Sequence, residues 1–165
     1  MKLKVIDNFL SEYQFKQIQS VVMSYDFPWF YNSGILRENE PGRYQFIHHF
    51  YKPEEIGPAS SSEYYSLLDF CQNKLGVKKL RRIKGNLNTR TVFHRKTGWH
   101  YDYADMTTAI LYLNTNNGWT EIEGYGKINS VANRVVIFDS NLEHDGYTCT
   151  NEERRIVVNF NYIPL

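Results

Sequence analysis

Within "GWHYDYADMT", residues 98–107, His100 and Asp102 stand two positions apart in a chain that has five histidines. On an extended strand, residues i and i+2 point to the same side, so this spacing projects an imidazole and a carboxylate together and turns Tyr101 away. One ring nitrogen and one carboxylate oxygen are two legs of a metal site. An H-x-D pair recurs by chance, and a surface turn would hold the same residues, so a third partner has to decide. His144 follows the apolar run "RVVIFDS" and precedes the turn-like "DGYTCTN". That is a strand end, where loops hold functional groups over a rigid scaffold. Two neutral histidines and one carboxylate on one face leave coordination positions open, the arrangement of non-haem Fe(II) oxygen chemistry. Asp105 lacks the same-face relation to His100 and is the weaker ligand candidate.

Shortly after His144, Arg154 and Arg155 open the strand-like "RRIVVNFNY". A buried arginine is costly unless it meets an anion, and guanidinium is built for bidentate carboxylate binding. Neighbouring strand residues face opposite sides, so only one of the pair can point inward. A dicarboxylate chelating a metal at one end and meeting an arginine at the other would satisfy both features.

These residues need a scaffold. The 165-residue chain has the length of one domain with a real core, and aromatic residues (13 Tyr and 10 Phe) lean its composition toward β-structure. Helical spacing of Phe15, Ile18, Val21 and Val22 predicts a helix within 11–24, capped by Ser11 and ended before Pro28. A second helix is predicted over 61–76, with Gly76 as its stop. From residue 79 the character changes to short β-branched or aromatic runs separated by turn residues: "KLRRIKGNL", "TTAILYLN", "EIEGYGKIN", "RVVIFDS" and "RIVVNFNYI". "QFIHHFY" (45–51) reads as another strand, and "KPEEIGPASSS" (52–62) as a loop. Helices followed by many short strands imply an α+β chain built on a β-sandwich or barrel, for which a jelly roll is the natural container.

Together, "GWHYD", "TTAILYLN", "NRVVIFDSNLEH" and "RIVVNFNY", in that order, resemble the Fe(II)- and 2-oxoglutarate-dependent oxygenases, in the prolyl-4-hydroxylase-like branch near its small phage and bacterial members. The resemblance covers roughly residues 83–163, with an echo in "VIDNFLSEYQF". It implies a double-stranded β-helix (jelly roll) with supporting N-terminal helices: one oxygenase domain over 1–165, with 1–78 as helical support and lid and 79–165 as jelly-roll core. It implies His100, Asp102 and His144 as catalytic metal ligands. Arg155 matches the base that binds the distal carboxylate, with Arg154 as the alternative if the turn is one residue shorter. Tyr112 matches a tyrosine that hydrogen-bonds the same carboxylate in part of the family, and Asn159, on the face of Arg155, adds a polar contact. The implied cofactors are Fe(II), the cosubstrate 2-oxoglutarate and O2. The implied reaction is hydroxylation of a substrate with release of succinate and CO2.

Other features bound the reading. A net charge of +1 argues against a polyanion-seeking protein as a whole. "KKLRRIK" (78–84) reads either as a solvated strand protecting a sheet edge or as a contact for an anionic substrate or nucleic acid. Residues 27–46 read as core packing under a loop or as a lid. His48 and His49 face opposite sides of a strand, and His94 lies in a loop. Cys71 and Cys149 cannot build a structural zinc site alone and fit a reducing, intracellular setting. No signal peptide or membrane-length apolar run is evident, so a cytoplasmic protein is expected, without a membrane partner. The expected substrate is a small molecule or a protein side chain, ahead of nucleic acid. The alternatives are a non-catalytic jelly-roll module that binds a metal or ligand, and a zinc hydrolase, which leaves Arg155 unexplained.

Overall fold

A computed structural model describes residues 2–35, 43–53 and 60–165. Strand β1 (Lys4–Ile6) leads into helix α1 (Glu12–Val22). Ser11 starts the helix with a reciprocal cap: its hydroxyl accepts from the Gln14 amide, and the Gln14 side chain accepts from the Ser11 amide, both at 3.3 Å. Phe15, Ile18 and Val22 are its buried stripe. The helix ends at Met23, whose amide reaches Gln19 and Val21, well before Pro28.

The predicted second helix is shorter than its sequence pattern. Ser60–Ser61 form a short strand, β4, Tyr65–Leu68 a 3-10 turn, and only Asp69–Leu75 a true helix, α2, closed by Gly76 at φ 64°. Serine competes with helix here: the Ser62 hydroxyl accepts from the Tyr64 amide and bonds the His48 ring.

The remaining strands are β2 (Phe30–Asn32), β3 (Gln45–Lys52), β5 (Val77–Thr89), β6 (Thr107–Tyr112), β7 (Trp119–Ile122), β8 (Gly126–Asn129), β9 (Val135–Asp139), β10 (His144–Tyr147) and β11 (Arg154–Pro164). All pairings are antiparallel. The larger sheet runs β1-β9-β6-β11-β5-β3-β2, with β4 beside β3, and the smaller runs β10-β7-β8. The result is a double-stranded β-helix with helices packed on the outer side of the larger sheet. Strands from both the first 78 residues and the remainder build that sheet, since β1 pairs with β9 and β3 with β5.

Strand alternation sorts two cores. Ile83, Leu111, Ile156, Val158 and Phe160 pack outward against Phe15, Ile18, Leu68 and Cys71. Ile110, Tyr112, Val136, Phe138 and Val157 point inward and meet Ile122 of the smaller sheet. Each fully buried Leu, Ile, Val or Phe of this kind contributes roughly 1.5–3 kcal/mol. Burial pushes the Cys71 thiol up to about 12, so it behaves as a small apolar residue. Both cysteines are free.

The edge-strand reading of 78–84 is corrected by the topology. β5 lies between β11 and β3, inside the larger sheet. Its alternation puts Ile83 and Leu87 into the helix-facing core, while Arg82, Lys84, Asn86 and Asn88 line a cavity between the sheets. The segment 27–46 falls partly outside the described residues. Of its described part, β2 joins the sheet edge, and Ile35 and Gln45 line the cavity. No described helix is long and apolar enough to cross a membrane.

Candidate metal centre and its cavity

His144 opens β10 and is buried. His100 sits beside it through a single two-way backbone bridge: its amide donates to the His144 carbonyl at 3.1 Å, and the His144 amide returns a bond at 2.8 Å. Asp102 lies in a bend, not on a strand. The same-face argument for His100 and Asp102 therefore needs correcting. The chain leaves the bridge at once and turns, reaching Asp105 at φ 59°, so the two side chains converge through the bend.

A second carboxylate anchors the approach to this bend. Asp145, fully buried, accepts from the Gly98 amide at 2.7 Å and the Thr97 hydroxyl at 3.1 Å. Gly98 has φ 110°, a backbone conformation that side-chain-bearing residues rarely adopt. The tether and the turn together aim His100 at His144.

One ligand atom from each of His100, Asp102 and His144 lies within 4.8 Å of the others. The His100 Nδ1 bonds the Gly98 carbonyl at 2.8 Å, which makes Nδ1 the protonated nitrogen and leaves Nε2 as a lone-pair donor. That Nε2 is 3.9 Å from Asp102 Oδ1. Asp102 is fixed by Arg82, at 2.8 Å on Oδ1, and by the Asn161 amide, at 3.0 Å on Oδ2. A carboxylate has about four lone-pair positions, so both bonds leave capacity for a cation. Neither ring nitrogen of His144 has a well-formed hydrogen bond among the described residues, although the Leu142 carbonyl lies near enough to influence the ring. A buried imidazole with no proper partner fits a metal ligand.

The electrostatics suit the same use. Burial depresses His144 to about 4, against the opposing pull of Asp102, so the ring is neutral at neutral pH. Burial acts to raise Asp102, but Arg82 above all, then His144, Asn161 and His100, outweigh it and hold the carboxyl below the usual range. Metal ligation requires those two states, neutral imidazole and carboxylate.

The cavity continues from these residues to Arg155. Arg155 is buried, its Nε on the Ser130 hydroxyl and one Nη on Thr120, each at 2.9 Å. No carboxylate pairs with it among the described residues. Arg154 points the opposite way and donates to the Met23 carbonyl at the end of α1. Gly118 makes room for Arg155: a Cβ there would come 2.8 Å from the arginine Cδ and 2.7 Å from the Tyr147 carbonyl oxygen. Tyr112 lies under the guanidinium, 5.6 Å from ring centre to Cζ, and donates its hydroxyl to Thr120. Thr120, rather than Tyr112, faces the cavity. Asn159 lines the wall beside Arg155, with its Oδ1 buried and unpartnered among the described residues.

Sequence reasoning offered 78–84 as a possible anion contact without singling out Arg82 and Lys84, and it missed Asn161 and Asp145 as site residues. The signal for the first two was the polar alternation of "RRIKGNLN", once β5 is known to be an inner strand. His94 bonds the Thr148 carbonyl and lines a neighbouring groove, and His48 is tied to Pro28 and Ser62.

No protein-family model and no curated protein matches the sequence. Solved structures do match the fold. An oxidoreductase of the 2OG-Fe(II) oxygenase family from Burkholderia pseudomallei superposes with a TM-score of 0.70 at 11% identity, over 98% of this chain and 85% of that one. A Pseudomonas putida prolyl-4-hydroxylase gives 0.64 at 16% identity, over 98% and 92%. A prolyl hydroxylase from Trichoplax adhaerens, in complex with a hypoxia inducible factor peptide fragment, gives 0.62 at 15%, over 97% and 83%. At such identities the likeness is one of fold.

Proposed function

We propose that this chain, working as a single domain, is an Fe(II)- and 2-oxoglutarate-dependent dioxygenase that hydroxylates a small molecule or a protein side chain, releasing succinate and CO2. The observation that carries the reading is Arg155: a buried guanidinium that among the described residues has only hydroxyl hydrogen-bond partners, in the same cavity as an open His-Asp-His group. A buried cation without a counter-charge is costly, and a dicarboxylate bridging the two features removes that cost.

His100 through Nε2, Asp102 and His144 would hold the metal. When bound with 2-oxoglutarate and O2, iron supplies the oxidative decarboxylation and the oxidant for an unactivated C–H bond. Arg155 receives the distal carboxylate of the cosubstrate, with Thr120 and Ser130 setting the guanidinium plane and Tyr112 beneath it. Arg82 and Asn161 keep Asp102 ionised and fix its rotamer. Asn159 offers an acceptor to whatever donor fills the space beside it. The apolar walls from Ile110 and Val157 limit water around the reacting groups.

The test is anaerobic reconstitution with Fe(II) and 2-oxoglutarate, followed by exposure to O2. A weak visible charge-transfer band, lost in His100→Ala and His144→Ala, and succinate formation under O2 are expected. Metal and 2-oxoglutarate binding with no succinate under any condition would favour the non-catalytic module. A band that survives both substitutions would refute the ligand set.

A further inference from the structure

Among the described residues, the cavity wall carries Arg82, Lys84 and Arg155 against one carboxylate, that of Asp102. Arg82 is committed to Asp102 at 2.8 Å. Under the oxygenase reading, on which this inference rests, both carboxylates of 2-oxoglutarate are also committed, one to the metal and one to Arg155. Lys84 is left over. Among the described residues its ammonium has no ion pair and no hydrogen bond. It faces the same cavity from β5, with Asn159 opposite on β11 and His49 opposite on β3.

These neighbours cannot supply the missing negative charge. Burial and the nearby Lys84 and Arg82 depress His49 to about 4, so its ring is neutral, and Asn86, Asn159 and Gln45 are amides. Burial, then Arg82, pull Lys84 itself down to about 8, against Asp102, so it remains largely charged at neutral pH. A sheltered ammonium among neutral amides is an anion receptor without its anion.

We propose that Lys84 receives an anionic group of the primary substrate, a carboxylate or a phosphate, and so positions the substrate beside the metal-binding triad. The amides of Asn86 and Gln45 are donors able to share that group. The inference selects acidic substrates from among small molecules and protein side chains, and it gives a chemical reason for a basic residue on an inner strand.

The experiment is a calorimetric titration of protein loaded with Mn(II) and 2-oxoglutarate, using acetate, L-glutamate and inorganic phosphate as probes. At least one probe should bind the wild type and weaken about tenfold or more in Lys84→Met, with most affinity restored in Lys84→Arg. Binding of 2-oxoglutarate should change little in Lys84→Met and fall steeply in Arg155→Met. Preference for acetate and glutamate assigns the site to a carboxylate, and preference for phosphate to a phosphoryl group. A second measurement needs no variant: acetylation of Lys84 in the wild type, read by mass spectrometry, should be slowed by the binding probe. If no probe binds, if binding ignores Lys84, or if Lys84→Met loses 2-oxoglutarate as severely as Arg155→Met, the proposal is overturned. If neither Mn(II) nor 2-oxoglutarate binds the wild type, the oxygenase reading fails instead. The acetylation footprint, run on metal-free protein, then still decides the anion site.

Discussion

The two faces of the β5–β11 pair do opposite work. Outward, Ile83, Leu87, Ile156, Val158 and Phe160 are apolar and sealed under the helices. Inward, Arg82, Lys84, Asn88, Arg155, Asn159 and Asn161 come from alternate positions of the same two strands. The ladder hydrogen bonds are common to both faces, so the backbone cannot be what separates stability from chemistry. The outer face repays its burial by packing. The inner face holds charged and amide groups that bond polar side chains of other elements, as Arg155 does Ser130 and Thr120 and Arg82 does Asp102, or that lack a partner among the described residues, as the Asn159 Oδ1 does, and it depends on the outer face to be tolerated.

The largest effect expected from breaking this contrast is on the outer face. Phe160→Ala should destabilise the protein by about 3–5 kcal/mol, because it leaves a cavity in the helix-facing core. Chemical denaturation measures it, and a loss similar to that of Asn159→Ala, on the other face, would erase the distinction.

Next come the neighbouring arginines, one on each side. Arg155→Ala should weaken 2-oxoglutarate binding by about 2–5 kcal/mol, and Arg154→Ala by far less, with metal binding retained in both. Equal losses in a binding titration would show that the two side chains share a role, contrary to their opposite directions.

The pH response sharpens the comparison further. His144 is held neutral in the folded protein at about 4, below its ordinary 6.5, so the unfolded chain takes up a proton first as pH falls. Its contribution is present above pH 6.5 and is lost as pH drops toward 4, on the order of 3 kcal/mol in metal-free protein. Asp102, depressed in the same direction, adds a further loss at lower pH. Thermal melting from pH 7 to 4 should show the His144 limb and a flatter one in His144→Leu. An unchanged slope would mean that His144 is not the group titrating.

The smallest effect is expected where "KKLRRIK" leaves the cavity. Lys79 is exposed, and Lys79→Gln should change stability by no more than about 0.5 kcal/mol and leave anion binding intact. A clear loss of anion binding in a titration would move the receptor out of the cavity and onto the surface.

How much of this was legible in the residues themselves depends on range. Helix α1 was readable because its cap and stripe lie within one turn or two of each other; strand alternation required that only one of Arg154 and Arg155 point inward, and the family resemblance selected Arg155. The shortened second helix was not, because Ser62 is drawn away by His48, fourteen positions earlier in the chain. Nor was the route by which Asp102 meets His100. The spacing suggested a shared strand face, whereas a bend, approached through Gly98 and the Asp145 tether, does the work.

What the sequence determined by itself is what local spacing and residue chemistry dictate: a helix-then-strand chain, His100, Asp102 and His144 as groups able to ligate, and one inward arginine. Tertiary structure decided what depends on which distant strands become neighbours. It buried β5 between β11 and β3, brought Arg82 and Asn161 onto Asp102 from 20 and 59 positions away, and turned Lys84 into the cavity. A basic strand has the same sequence at a sheet edge as in its middle. Only the partners on either side settle whether its charges meet water or a substrate.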